Sequence, residues 1–518
     1  MTDGSGIFIG GGGPDYGTPQ HLSLRYANRH GLIAGATGTG KTVTLQIMAE
    51  AFSAAGVPVL LSDAKGDLSG LAHAGRADHK LDGAFRERAA TIGLTDFAYA
   101  APPVTFWDIF GEAGHPVRAT VAEMGPLLLS RMLELTEAQE GVVNVAFRLA
   151  DEEGLALLDL KDLQAMLVRV GEMRTELSLR YGNIGVSSIG AIQRRLLVLE
   201  GQGASSFFGE PALDLADLMR HDGQGRGMVN ILAADRLMSS PRLYASVLLW
   251  LLSELFETLP EVGDPDRPKL VVFFDEAHLL FDDAPPALIE KVEQVARLIR
   301  SKGVGVYFVT QSPDDIPEDV LGQLGNRVQH ALRAFTARDR RALRLAAETY
   351  RDNPDFDTET AIREVGVGEA VTSFLAEKGA PGVVQRTLIR PPSSRLGPLT
   401  PEEHAAHVAA SDLGGRYDTP LDRHSAFEAL KARAEDAARA AAEAERTEAE
   451  TEAAAPRAYS AARRYTGPRV GRSSSAPTRR GAAAGIGAAL TRAVVKELGG
   501  TTGRRLVRGV LGGLFKAR

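Results

Sequence analysis

Two short segments of the chain combine glycines, a lysine, hydroxyl groups and carboxylates at spacings suited to phosphate chemistry. The first comes directly after the apolar run Gly31–Ala34 and reads Gly35, Ala36, Thr37, Gly38, Thr39, Gly40, Lys41 and Thr42. It fits the pattern G-x-x-x-x-G-K-[ST], in which glycines let backbone N–H groups and a helix N-terminus surround a phosphate. The pattern predicts that this loop binds a nucleotide, with Lys41 reaching the β- and γ-phosphates and the Thr42 hydroxyl ligating Mg²⁺.

The second segment is the apolar run Leu270–Phe274 followed by Asp275 and Glu276. Such a run is typical of a central strand that delivers acidic groups to the edge of a sheet. Asp275 suits a magnesium ligand, and Glu276 suits a base that polarises an attacking water. Acids at a strand end are often only a solvated terminus, and the glycine-rich pattern occurs by chance in unrelated chains. Both segments together, in this order, favour nucleotide hydrolysis.

Composition restricts the class of protein. The chain has 518 residues, of which 44% are hydrophobic, enough for two or three domains and a large core. It contains no cysteine, which excludes disulfides and thiolate metal sites and is typical of a reducing compartment. Residues 1–6 lack the basic and apolar regions of a signal peptide, and no apolar run approaches the roughly 20 residues that span a bilayer. These features predict a cytoplasmic protein.

The net charge of −7 is unevenly distributed along the chain. Residues 456–518 contain 14 Arg or Lys and one acid, Glu497, so this tail carries +13 and the remaining 455 residues carry −20. A basic tail on an acidic body predicts an anionic partner, either nucleic acid or a membrane surface, or contact with a neighbouring subunit or another protein. A solvated tail without a partner is the alternative.

Apolar runs that suit parallel strands recur along the first 400 residues, with helical patterns between most of them. The runs are Leu32–Ala34, Pro58–Ser62, Met228–Ala233, Leu270–Phe274, Gly305–Thr310 and Val328–Leu332. Such alternation predicts an α/β fold with a doubly wound, mostly parallel sheet. Ligands of that architecture bind at the carboxyl ends of the strands, which is where the candidate residues fall.

The chain divides into three parts by pattern. Residues 1–400 are predicted to form the nucleotide-binding domain, with a large helical insertion at about 119–199. Residues 401–455 are predicted to be an Ala/Glu/Arg-rich helical extension. Residues 456–518 have the composition of a disordered basic tail, in which the last part could form short amphipathic helices.

Four stretches resemble the HerA/FtsK superfamily and, more closely, the HerA-like bacterial ATPases of the YjgR type. Besides the P-loop with its preceding residues Ala27–Ala34, they are Asp63-Ala64-Lys65-Gly66-Asp67-Leu68, Asp275-Glu276-Ala277-His278-Leu279-Leu280 and Val309-Thr310-Gln311-Ser312-Pro313. The resemblance covers about residues 5–400. It implies a RecA-like P-loop ATPase core of the additional-strand branch, in which the catalytic carboxylate follows the magnesium ligand directly, as Glu276 follows Asp275.

The resemblance also implies a homohexameric, ATP-driven ring motor with its sites at subunit interfaces. Gln311 then matches the polar sensor of the γ-phosphate, and Arg300 matches the arginine finger that acts on the neighbouring subunit. Arg297 is the alternative finger. The non-catalytic alternative for both arginines is a position on a solvent-exposed helix face. Asp63, Lys65 and Asp67 are weaker candidates. Three roles are open for the strand-end acid Asp63: support of magnesium, positioning of water and capping of a loop.

Three hypotheses about function stay open at this stage. The first is a DNA translocase or helicase, which depends on the resemblance and the basic tail. The second is a motor or scaffold for protein partners, as in secretion-like or defence-like assemblies. The third is a nucleotide switch that does not translocate. Stimulation of hydrolysis by DNA distinguishes the first from the other two.

Overall fold

The computed structural model describes residues 6–263, 265–281, 286–334 and 336–454. Two compact units divide the chain, Met1–Phe427 and Glu428–Arg518. The described part of the second unit is helical. The predicted amphipathic helices near the C-terminus lie outside the described residues.

The described residues of the first unit form one sheet of 12 strands. The strands are β1 (Gly6–Gly12), β2 (Thr18–Ser23), β3 (Gly31–Ala34), β4 (Val59–Asp63), β5 (Val104–Asp108), β6 (His115–Pro116), β7 (Val229–Ala233), β8 (Leu270–Phe274), β9 (Val304–Thr310), β10 (Asn326–Gln329), β11 (Glu369–Ser373) and β12 (Gln385–Ile389).

Helices fill most of the connections between these strands. They are α1 (Lys41–Ala54), α2 (Asp82–Thr91), α3 (Val121–Met132), α4 (Glu137–Glu153), α5 (Leu160–Glu172), α6 (Arg174–Tyr181), α7 (Val186–Gly201), α8 (Leu215–Leu218), α9 (Pro241–Thr258), α10 (Pro286–Ile299), α11 (Glu318–Leu321), α12 (Ala337–Glu348), α13 (Thr358–Glu364), α14 (Pro401–Ala409) and α15 (Ala426–Ala454). Among the described residues, no helix combines the length and the apolar character needed to cross a membrane.

The strand order is β2-β1-β12-β11-β10-β3-β9-β8-β4-β7-β5-β6. From β10 to β6 every neighbouring pair is parallel, whereas β2, β1, β12 and β11 extend the sheet with antiparallel pairs. The predicted mostly parallel α/β sheet is therefore confirmed. Strand β9 lies between β3 and β8, so an additional strand separates the glycine-rich loop from Asp275 and Glu276.

One predicted strand boundary is wrong. The apolar run Val328–Leu332 was expected to form a single strand, but β10 ends at Gln329. Ala331 and Leu332 instead pack into a second apolar cluster with Leu343 of α12 and Ile362 of α13. The chain leaves the sheet here because these apolar side chains find a core of their own beside it.

The centre of the sheet is buried on both faces, which explains its continuous apolar strands. On one face Phe52 of α1 packs against Phe273 of β8 and Tyr307 of β9. On the other face Phe274 and Phe308 pack against each other. Helix α1 is thereby held on the sheet directly behind the loop that precedes it.

Candidate active site

The candidate residues meet at one edge of the sheet. The glycine-rich loop follows β3, Asp275 and Glu276 follow β8, and Gln311 follows β9. Because β3, β9 and β8 are parallel neighbours, their carboxyl ends lie side by side. Strand β4 adjoins β8 on the far side and brings the loop that begins at Asp63 to the same edge.

The backbone of the loop requires its glycines. Gly35, Gly38 and Gly40 have positive φ angles of 153°, 77° and 118°, a region that other residues rarely adopt. A Cβ atom on Gly35 would also lie 2.5 Å from the Cβ of His330. The loop therefore curls tightly into the N-terminus of α1, where Lys41 and Thr42 occupy the first turn.

The ammonium group of Lys41 points back across the loop. Its Nζ atom donates hydrogen bonds to the carbonyl oxygens of Gly35, at 2.6 Å, and Ala36, at 3.2 Å. Burial lowers the pKa of Lys41, and the carboxylates of Glu276 and Asp275 oppose that effect. Lys41 therefore lies in the same electrostatic environment as both acids, as binding of a phosphate and a metal ion at one place requires.

A buried hydroxyl pair supports Asp275. The backbone N–H of Asp275 donates to Ser62 Oγ at 3.2 Å, and the hydroxyl of Tyr244 donates to the carbonyl oxygen of Asp275 at 3.2 Å. Ser62 Oγ and the Tyr244 hydroxyl are themselves 2.9 Å apart. Sequence patterns did not indicate either residue, because Ser62 lies inside a strand and Tyr244 inside an apolar helix.

Electrostatics at Asp275 suit a divalent cation. Burial, followed by the charge of Glu276, raises the pKa of Asp275 to about 7. A bound cation would favour the ionised carboxylate and relieve this repulsion. Asp275 and Thr42, which the sequence predicts to be magnesium ligands, are thus chemically suited to that role.

Glu276 has an unusual backbone and a crowded carboxylate. Its φ of 48° and ψ of 49° place it in the left-handed region, a strained conformation found preferentially at functional sites. Its Oε1 atom forms an ion pair with Lys65, and its Oε2 atom lies 3.4 Å from Gln311 Nε2 and 3.3 Å from His278 Nδ1. Burial alone would raise the pKa of Glu276, but Lys65, Gln311 and His278 together outweigh burial and hold the pKa below its ordinary value.

The loop after β9 is braced by its own side chains. Asp315 Oδ2 accepts hydrogen bonds from Thr310 Oγ1, at 2.6 Å, and from the backbone N–H of Ser312, at 2.8 Å. Gln311 lies between these two contacts and is exposed. The bracing presents the Gln311 amide toward Glu276, where a polar sensor would have to lie.

The side chain of Asp63 binds the backbone of the loop that follows β4. Its carboxylate accepts hydrogen bonds from the backbone N–H groups of Lys65, Gly66, Asp67 and Leu68 at 2.8 to 3.3 Å. Burial raises the pKa of Asp63 to about 6, whereas these amides favour the ionised form. Of the roles considered for Asp63, the geometry favours that of a loop cap.

His330 is a further residue of the site that sequence patterns did not indicate. Its ring lies beneath the glycine-rich loop, with Nδ1 2.9 Å from the carbonyl oxygen of Glu369 and Nε2 2.8 Å from Thr44 Oγ1. Burial lowers the pKa of His330 to about 4, so the ring is neutral at pH 7. Because a carbonyl can only accept, Nδ1 carries the proton and Nε2 accepts from Thr44. The ring thus links the loop helix α1 to β11.

The two candidate arginine fingers lie away from this edge. Arg300 follows α10 and precedes β9, and its carbonyl oxygen accepts a hydrogen bond from Asn28, just before β3. It therefore occupies the amino edge of the sheet, and β9, at about 3.3 Å per residue, separates it from the loop by roughly 20 Å. Arg297, on α10, forms an ion pair with Glu293 of the same helix.

Arg327, on β10, is a further arginine of the sheet, but its contacts suit a structural role better than that of an arginine finger. Its guanidinium donates to the carbonyl oxygens of Leu324, at 3.0 Å, and Leu321, at 3.1 Å. Burial lowers the pKa of Arg327. These contacts indicate that Arg327 ties the segment around α11 to the sheet.

Comparisons with known proteins give one family match. Residues 12–518 match the family model described as Helicase HerA-like C-terminal. Curated proteins include no match to the chain.

Several solved structures are similar to this chain at low sequence identity. VirB4 of Thermoanaerobacter pseudethanolicus is 16% identical, covers 75% of this chain and 97% of its own, and has a TM-score of 0.48. The unbound bacterial conjugative coupling protein TrwB is 15% identical, covers 72% of this chain and 89% of its own, and also has a TM-score of 0.48. Plasmid coupling protein TrwB in complex with ADP and Mg²⁺ is 17% identical over 73% of this chain and 90% of its own, with a TM-score of 0.44.

Proposed function

The chain belongs to the HerA-like C-terminal family of P-loop ATPases, and from this premise we propose that it is a hexameric ring motor that hydrolyses ATP to translocate DNA. The observation that carries the ATPase part is the meeting of Lys41, Asp275 and Glu276 at one edge of the sheet. ATP hydrolysis needs a cation to bind the phosphates, a carboxylate to bind Mg²⁺ and a base to activate water. Lys41, Asp275 and Glu276 suit these three roles in that order, and the strand order brings them together. We propose the cytoplasm as its location.

Binding of ATP would use the backbone of the P-loop and the first turn of α1. N–H groups of the loop surround the β-phosphate, and Lys41 moves from the carbonyls of Gly35 and Ala36 to the β- and γ-phosphates. Thr42 and Asp275 are the proposed ligands of Mg²⁺. When bound, Mg²⁺ neutralises charge on the phosphate oxygens.

Hydrolysis would then depend on Glu276 and Gln311. Glu276 accepts a proton from the attacking water, a role that requires an ionised carboxylate with a free lone pair. Gln311, beside Glu276, senses the γ-phosphate and helps to orient the water.

A ring would complete the site from a second subunit. Arg300 lies at the opposite edge of the sheet from the P-loop of its own chain, so it cannot reach its own γ-phosphate without unfolding the strand between them. In a closed ring it would meet the phosphate of the neighbour, where its delocalised cation stabilises charge that develops during hydrolysis. This position supports the trans assignment over action within one subunit.

DNA is the proposed substrate, and a protein substrate is the alternative. Family membership and the basic tail favour DNA, whereas the acidic body would restrict DNA contacts to a pore. The test measures ATP hydrolysis with and without double-stranded DNA, together with the oligomeric state in a non-hydrolysable ATP analogue. Faster hydrolysis with DNA and a hexamer support the proposal. If the chain forms a hexamer but DNA does not change its rate of ATP hydrolysis, the result contradicts the DNA substrate and favours a motor that acts on protein.

Lys41→Ala is expected to weaken ATP binding by about tenfold to a hundredfold, because a charge-assisted contact is worth roughly 1.5–3 kcal/mol. Titration with a fluorescent ATP analogue measures the change. Lys80→Ala is the matched control, since Lys80 is exposed and lies outside the site. Unchanged affinity in Lys41→Ala would contradict the proposed phosphate contact.

Deletion of 456–518 is expected to leave ATP binding intact and to weaken association with DNA in a salt-dependent way. The deleted segment carries +13, and neutralised phosphates release counterions on binding. Binding to a fluorescent duplex at several salt concentrations measures the effect. Loss of soluble protein that binds ATP would show instead that the segment contributes to the fold.

A further inference from the structure

Charged or polar side chains lie beside both oxygens of the Glu276 carboxylate. Lys65 forms an ion pair with Oε1, while Gln311 and His278 lie within 3.4 Å of Oε2. A base must offer a lone pair to the water that it deprotonates. In this arrangement a cation lies against the carboxylate that would activate water and opposes its acceptance of a proton.

The position of Lys65 is determined by the loop that carries it. Four backbone N–H groups bind the buried carboxylate of Asp63 and hold residues 65–68 in a compact turn. The turn directs the Lys65 ammonium across the edge of the sheet to Glu276. The Lys65 side chain is 45% exposed, whereas that of Glu276 is only 7% exposed. Lys65 also acts electrostatically on Lys41 of the P-loop. Its ammonium therefore lies close enough to the P-loop lysine to affect it, as well as beside Glu276.

We propose that Lys65 is a positioning residue that restrains Glu276 in an ion pair and so holds back hydrolysis until the pair opens. This inference depends on the proposed function, since it concerns the base of that reaction. Opening of the pair frees Oε1 to accept a proton from water, and no other group needs to leave the carboxylate.

Asp67 provides a second place for the Lys65 ammonium. Its Oδ1 atom is buried and has no hydrogen-bond partner within the described ranges of the chain. Burial raises the pKa of Asp67, and the charge of Lys65 opposes that effect, so the two side chains already interact. Transfer of Lys65 from Glu276 to Asp67 would satisfy a buried acceptor at the moment that it releases the base. The two carboxylates thus define a closed and an open arrangement.

Turnover in the absence of DNA tests the restraint. Lys65→Met is expected to raise kcat by about threefold to tenfold with KM changed by less than about twofold, because a partly exposed ion pair contributes modestly. Lys65→Arg keeps the charge and is expected to retain the parent rate, and Lys80→Met is the matched control. A kcat for Lys65→Met at or below the parent value would overturn the proposal, and a large fall would make Lys65 a required cation of the reaction.

A second measurement does not depend on ATP hydrolysis. Thermal unfolding of the full chain without nucleotide is compared for the parent, Lys65→Met, Glu276→Gln and the double variant. If the ion pair exists, Lys65→Met lowers the apparent Tm by about 1–3 °C in the parent chain. The same substitution has little effect on the Tm when Glu276→Gln is already present. If the Tm changes of the two single variants simply add in the double variant, Lys65 and Glu276 do not form an ion pair, whatever the activity of the variants. A parent that shows this coupling but hydrolyses no ATP would instead contradict the proposed function alone.

Discussion

Glu276→Gln is expected to bind ATP with nearly the parent affinity and to hydrolyse it about 10²- to 10⁴-fold more slowly. Glutamine keeps the size and most contacts of the side chain, including the neighbouring Gln311. Its amide cannot accept a proton from water, so the loss falls on the transition state and leaves ground-state binding largely intact. The change should therefore appear in kcat.

Steady-state hydrolysis and equilibrium binding of a fluorescent ATP analogue separate these two quantities. Glu112→Gln is the control, because Glu112 is an exposed carboxylate whose ion pair with Arg236 lies on the surface. A turnover of Glu276→Gln near that of the parent would exclude Glu276 as the base. A loss of ATP binding with normal kcat would make Glu276 a binding residue instead.

Arg300→Ala is expected to bind ATP almost normally and to lose about 10³-fold or more in kcat, as arginine fingers do. The guanidinium meets charge that develops mainly in the transition state. Arg148→Ala is the control, because Arg148 is an exposed arginine that pairs with Glu152 on its own helix α4, and loss of an exposed pair of this kind costs little. Arg297→Ala is measured beside it as the alternative finger.

Mixed rings test whether Arg300 acts between subunits. Glu276→Gln subunits retain Arg300 and can supply it to a neighbouring Arg300→Ala subunit, whose own Glu276 is intact. Mixtures of the two inactive variants should therefore regain part of the activity, at a level that depends on the mixing ratio. If subunits exchange, as measured by fluorescence transfer between labelled chains, and no mixture recovers activity, the trans assignment fails.

Local sequence was sufficient to predict the candidate residues of the site. The P-loop was recognisable because a tight phosphate-binding turn requires glycines at positive φ, and Gly35, Gly38 and Gly40 have such angles. Asp275 and Glu276 were recognisable because a buried strand is continuously apolar until it ends at polar groups. These requirements act over a few neighbouring residues, so they leave a readable pattern. The roles of Gln311, Arg300 and Arg297 stay predictions.

The antiparallel extension of the sheet left no such pattern. Strand β1 contains the run Gly10–Gly12, a composition that disfavours strands. Its glycines are needed because a Cβ on Gly10 would lie 2.1 Å from the carbonyl oxygen of Leu388, in the neighbouring strand β12. Pairing with a strand more than 370 residues away in the chain explains β1, and periodicity within β1 does not.

The sequence by itself determined the P-loop, the acidic strand end and the mostly parallel character of the core, because glycine spacing, apolar runs and the alternation of strands with helices are patterns of residues close in the chain. The order of the strands rests on pairings between residues far apart in the chain. Only the tertiary structure decided which side chains surround Glu276. Lys65 and Glu276 are distant in sequence, and the same lysine could equally have been a solvated loop residue. Adjacent parallel strands β4 and β8 bring their carboxyl ends together, and that proximity turns a loop lysine into the partner of the proposed base.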